Sequence, residues 1–289
     1  MIKKIIIGAV AGILSCTAVY SQTHSKHELS VWGGGGLSTM DYSTTIGDSK
    51  MRAGGLFGIG YNYSLTDKWS LSTGLELSFY NSKMKGSELN DGYAANDGEY
   101  DFELTSSVTG YVEKQKATYL NIPVMAQFEL PALNQHRFYA AGGFKFGIPV
   151  TGKYTVDRAI IHNSGYYPDL NITYYDQHFM GFGTFSRNDF EEDLDLKLSC
   201  MFSLETGMKW RLPNSLSLYT GAYFDYGLND IKKDVNKRLI EYDPAYDENF
   251  TVNSVFSSQY ESNGKSEDIT DKVIPWAVGI KIKLAFALK

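Results

Sequence analysis

From residue 27 onward, apolar and polar side chains alternate with a period of two, the spacing of β-strands whose two faces meet different surroundings. Eight stretches carry the pattern: 28–39, 52–64, 68–81, 118–130, 136–149, 197–212, 215–228 and 273–288. Each exceeds the five or six residues usual for a soluble strand and reaches the roughly 9–11 that a tilted strand needs to cross a bilayer. The connections alternate in length. Residues 64–68, 131–135 and 213–214 form short turns, whereas 40–51, 82–117, 150–196 and 229–272 form long loops. Short turns at one end and long loops at the other predict an all-β fold, an eight-stranded antiparallel up-and-down transmembrane β-barrel with short periplasmic turns and long extracellular loops. An even strand count places both ends of the barrel on the short-turn side.

The charges sharpen this reading. Glu76, Glu129, Lys145, Glu205, Lys209, Asp225, Lys281 and Lys283 all fall on the Gly- and Ser-rich face of their strands, and none on the aromatic face. Tyr61, Tyr63, Trp69, Phe79, Phe138, Trp210, Tyr226 and Trp276 fall on the other face near strand ends, where two interfacial girdles would lie. A soluble sandwich or lipocalin-like barrel would show the same two faces with the opposite meaning. Loop alternation, the aromatic positions and the N-terminal residues decide for the membrane. An eight-stranded bore is just wide enough to be filled by side chains, and buried charges persist only when paired. The eight charged residues are therefore expected to form an ionic network that plugs the lumen. Inward glycines leave room for these long side chains.

At the N-terminus, Lys3 and Lys4 precede an apolar run to about residue 19, with a small residue at Ser21. This is the order of a secretory signal, so residues 1–21 are expected to be a cleaved signal peptide and 22–289 the outer-membrane barrel domain. The stretch ending in Cys16 loosely resembles a lipoprotein box but fits poorly at its first position. Cleavage before Gln22 would leave Cys200 alone, excluding an internal disulfide. No later segment is apolar enough over 18 residues for a transmembrane helix.

Composition adds exclusions. With 28 Gly, 21 Tyr, 16 Phe and 7 Pro in 289 residues, the chain is neither collagen-like nor disordered. A net charge of −6 argues against a nucleic-acid partner.

Several stretches resemble the PorT-like outer-membrane β-barrels of Bacteroidetes, relatives in shape of OmpA-type barrels. They are Leu29 to Gly36, Tyr119 to Val124, Phe138 to Gly147, Phe202 to Gly207 and Val278 to Leu284. The C-terminus, ending Phe286, Ala287, Leu288, Lys289, departs from the terminal aromatic frequent in such barrels. The resemblance carries no catalytic residue. It implies a structural or adhesive role, or a membrane-embedded partner in an envelope or secretion assembly.

The loops hold the remaining chemistry. The acidic run 189–195 offers carboxylate oxygens for Ca²⁺, but lacks EF-hand spacing and reads as a solvated loop base. Tyr166, Tyr167, Tyr174, Tyr175, Phe179, Phe182 and Phe185 suit either a binding surface for glycan or protein or a loop packed on itself. His162 and His178, with Asp169 and Asp176 nearby, permit a lipid-modifying enzyme as an alternative, and a small-solute pore is a third reading. The expected partners are outer-membrane lipid and lipopolysaccharide, with envelope proteins or extracellular ligands at the loops. No cofactor, metal or catalytic residue is assigned.

Overall fold

The computed structural model describes residues 26–132, 136–246, 248–262 and 264–288. The proposed signal peptide and Cys16 lie outside these residues. Eight long strands form the wall: β1 (His27–Asp41), β2 (Ala53–Ser64), β3 (Trp69–Gly86), β4 (Asp101–Pro131), β5 (Arg137–Tyr167), β6 (Ser199–Arg211), β7 (Leu216–Gly227) and β8 (Ile274–Leu288). Each pairs antiparallel with its neighbour in sequence, and β8 pairs with β1 from Leu288 opposite His27 to Ile274 opposite Asp41. The sheet is therefore a closed up-and-down barrel with no exposed edge in its membrane part, the condition for a β-structure to span a bilayer. Among the described residues no helix is long and apolar enough to cross a membrane.

The two faces separate as the alternation predicts. Inward positions such as Glu76, Lys145, Ser203 and Asp225 are at most 1% exposed. Outward positions remain bare: Phe138, Phe146, Val124, Ile280 and Ile282 are 51–68% exposed. This reversal of ordinary burial follows from a solvent that is hydrocarbon on the outside.

The structure differs from the sequence expectation in two loops. Residues 101–117 and 151–167 are not irregular; they continue β4 and β5, each 31 residues long. The paired strands rise beyond the membrane as one hairpin, widened by Gly47–Met51 on β3, Leu89–Asn96 on β4, and Ile172–Tyr174, Gly183–Arg187 and Phe190–Asp193 on β5. The outward face marks where they leave the hydrocarbon. Apolar Phe79, Leu120 and Val150 give way to Lys83, Lys85, Lys114, Lys116 and Lys153.

β-Bulges explain why this extension is hard to read in the sequence. The β4–β5 register shifts near Thr118 and again between Thr109 and Glu113, where Gly110 adopts a left-handed φ of 62°. Each bulge moves the inward set of the strand that carries the extra residue by one; near Thr118 that residue is Val150 on β5, so β4 keeps its parity there. On β4, Glu113, Gln115 and Tyr119 face in below the second bulge, and Phe102, Leu104 and Val108 are buried above it.

The 229–272 segment folds back into the mouth of this extension. Ile231, Val255, Phe256 and Ile269 are buried in one core with Met84, Tyr111, Tyr154 and Val156 of the wall and with Tyr42 and Val273 beside it. A second small core at the tip joins Phe102, Leu104, Tyr167 and Phe182.

Candidate functional site: the polar bore

The charged residues that alternation places on the inner face lie in a continuous column. At its centre, Lys145 on β5 lies 2.7 Å from Glu76 on β3 and 2.8 Å from Asp225 on β7. Ser203 on β6 donates to the other Asp225 oxygen at 2.6 Å. The Trp32 indole N–H on β1 donates to the second Glu76 oxygen at 2.8 Å, and Ser78 bonds the first. Lys281 on β8 pairs with Glu205 and lies 3.7 Å from Glu76, its ammonium 4.7 Å from the Trp32 ring.

Toward the short turns, Lys283 donates to Gln127 at 3.3 Å and sits 4.2 Å from the Tyr219 ring. Gln127 in turn donates to Glu129. Lys209 bridges Glu129 at 3.0 Å and Glu28 at 3.1 Å, and Arg137 reaches Glu129 at 3.3 Å. The column unites all eight expected charged residues with Glu28, Arg137, Trp32 and Gln127, which the sequence reading did not assign. Glu28 shares the inward parity of β1, so the alternation contained that signal. Arg137 sits at a strand end, and Trp32 stands in a run of glycines. Neither is marked by charge alternation.

With those additions the ionic column holds, among the described residues, five carboxylates (Glu28, Glu76, Glu129, Glu205, Asp225) and five cations (Arg137, Lys145, Lys209, Lys281, Lys283). This equality is what burial demands, since each uncompensated charge costs several kcal/mol. Strand β2 contributes room in place of charge. A Cβ on Gly58 or Gly60 would sit 2.6–2.7 Å from the Trp32 ring, and one on Gly74 of β3 2.8 Å from it.

Above the ionic column the filling turns aromatic and then amidic. Tyr80 and Tyr119 meet edge to face beneath Met201, and Tyr42 and Ser82 donate to the Gln115 carbonyl. Gln115 and Tyr111 donate to Glu113, which also accepts from the Ser254 hydroxyl and, at 3.0 Å, from the Val255 N–H. The returning segment is thus tied into the bore by a buried carboxyl beyond the membrane edge. Burial, only partly offset by the hydrogen bonds it accepts, pushes the Glu113 carboxyl above its usual range.

The aromatic residues expected at the interfaces are all on the outer face. Tyr61, Tyr63, Trp69, Phe138 and Trp210 lie toward the short turns, while Phe79, Tyr226 and Trp276 lie toward the loops. Of the Tyr-rich stretch, Tyr167, Tyr174 and Phe182 pack together at the tip. Tyr175 and Phe179 are exposed. In the acidic run, Glu191 pairs with Lys153 at 2.6 Å. His162 bonds Thr184, and His178 lies 3.3 Å from Asp176. Among the described residues no three His, Cys, Asp or Glu side chains assemble as a metal-binding set. Cys200 is free and half-buried on the outer face.

A closed, lipid-faced, eight-stranded barrel with a polar interior defines an integral outer-membrane protein. The chain belongs to the family described as the outer membrane protein beta-barrel domain, which its sequence matches over residues 20–233. It resides in the outer membrane. The match stops before β8, the strand that closes the ring. Solved structures with similar architecture include the Neisserial surface protein A, at 10% identity over 91% of this chain and 96% of that one, TM-score 0.35. OprG from Pseudomonas aeruginosa shares 12% identity over 93% and 100% of the two chains, TM-score 0.40. AlkL, solved in lipid bilayers, shares 8% over 94% and 95%, TM-score 0.37. No curated protein matches the sequence.

Proposed function

We propose that this protein is a non-conducting, non-enzymatic barrel that anchors an ordered head on the cell surface, there to bind an extracellular ligand or a partner in an envelope assembly. The observation that carries the reading is the charge-balanced column from Glu28 to Asp225, continued by the seal at Glu113, Ser254 and Val255. A solute crossing the bore would have to part ion pairs buried at 0–1% exposure, such as Lys145 with Glu76 and Asp225. The head has a core continuous with the bore, a second core at its tip and added strands, as a binding platform requires, whereas a loop tuned only for solubility needs none of these. The resemblance of the strand sequences to PorT-like barrels favours the envelope-assembly form of this role.

Planar-bilayer recording of the purified protein provides the test. The expected result is no steady conductance, with brief events at most. A stable open level in every insertion would return the protein to the pore class.

A further inference from the structure

The outer wall just above the membrane carries a charge arrangement that stability alone does not account for. Lys50, Lys83 and Lys114 lie directly opposite one another across three neighbouring strands, and Lys116 lies opposite Lys153 on the next pair. Like charges placed directly across a sheet repel. The chain as a whole is acidic, with a net charge of −6, so chance does not favour such a patch. With Lys85 beside them, six lysines share this face with four counter-charges among the described residues, Asp48 opposite Lys85, Asp193 opposite Lys153, and Asp157 and Glu191. Asp157 takes Lys114 at 2.7 Å and Lys83 at 3.4 Å, and Glu191 takes Lys153 at 2.6 Å. Lys50, Lys85 and Lys116 are exposed and form no ion pair among the described residues.

The height of the patch identifies its ligand. Lys83 follows Phe79, the last bare aromatic on β3, by four residues, roughly 13 Å along the strand. Lys116 follows Thr118 and the lipid-facing Ile122 on β4 in the same upward sense. The surplus positive charge therefore sits level with the polar heads of the outer leaflet. A free solute would meet it on any side, but a phosphorylated glycolipid already lying against the apolar wall places its phosphates there without losing further freedom.

We propose that the Lys50, Lys85 and Lys116 patch is a binding site for the phosphates of lipid A in the outer leaflet. Lys83 and Lys114, steadied by Asp157, form its inner edge. This goes beyond the closed-barrel reading and does not depend on it, since a conducting barrel would carry the same patch.

The test is native mass spectrometry of the full barrel exchanged into mild detergent with bisphosphorylated lipid A, dephosphorylated lipid A, pyrophosphate or polyglutamate. Expected is retention of bisphosphorylated lipid A that weakens with salt. In the triple variant Lys50→Gln, Lys85→Gln, Lys116→Gln retention falls about fivefold per cation, near a hundredfold in all. Dephosphorylated lipid A should bind both proteins alike and weakly. Heat-modifiable migration on gels checks that the variant is folded, which removal of three exposed charges that form no ion pair among the described residues should preserve. Equal lipid A retention by wild type and folded variant overturns the proposal. So does pyrophosphate binding as tightly as lipid A, which would make the ligand a free anion, or polyglutamate binding more tightly than either, which would make it an acidic protein.

Discussion

Lys145 holds two carboxylates at once, and its removal would leave Glu76 and Asp225 facing each other in a dry interior. Breaking one member of a buried ionic set costs about 3–5 kcal/mol, more than the set adds over apolar packing, because it strands the partners. Lys145→Met should therefore lower the unfolding free energy, read from urea titration, by that order. Lys283→Met, whose ammonium meets Gln127 and the Tyr219 ring and forms no ion pair among the described residues, should cost well under half as much. Equal losses for the two would mean that the column is solvated. At this scale the sequence was informative wherever a charged residue stood mid-strand, because parity alone fixes its side. It was silent on Trp32, since an aromatic among glycines gives no sign of which neighbours have been cleared for it.

For whole elements, the same alternation that located eight strands failed where its physical cause ended. Beyond the membrane the outer faces of β4 and β5 carry polar residues, and Glu113 and Gln115 interrupt the inward apolar positions. The bulges then reset the parity. A reader of hydrophobicity therefore sees loops where the backbone remains hydrogen-bonded. Two predictions belong here. Ile280, 68% exposed in the middle of β8, faces hydrocarbon, so Ile280→Arg should destabilise by about 2–4 kcal/mol, read by the temperature at which the folded band is lost on gels. At Gly110 the left-handed backbone disfavours a side chain, and Gly110→Ala should cost about 1–2 kcal/mol, read as faster amide exchange in the upper hairpin with the barrel amides unchanged.

In the molecule as a whole, the returning 229–272 segment makes closure of the mouth depend on Glu113. The folded carboxyl binds its proton more tightly than an unfolded one, because burial raises its pKa. The folded state therefore carries more protons between the ordinary glutamate pKa and the raised one, and stability falls as pH rises through that window. Exchange at the Val255 amide, corrected for intrinsic rate, should accelerate across the same window, and Glu113→Gln should flatten that dependence. A pH-independent Val255 amide in the wild type would count against Glu113 as the seal. None of this was visible in the sequence, since Glu113 and Ser254 are separated by 141 positions and meet only once the barrel has closed.

The two 31-residue strands give the head a further property. Each runs roughly 100 Å from periplasmic turn to outer tip, its ladder interrupted only by local bulges. A pull on a ligand held at the tip would load those hydrogen bonds lengthwise, in shear, and pass the force directly into the wall embedded in lipid. A tether built from flexible loop would stretch first. This one has almost no slack, so a cell gripping a surface through it would feel each tug at the barrel itself.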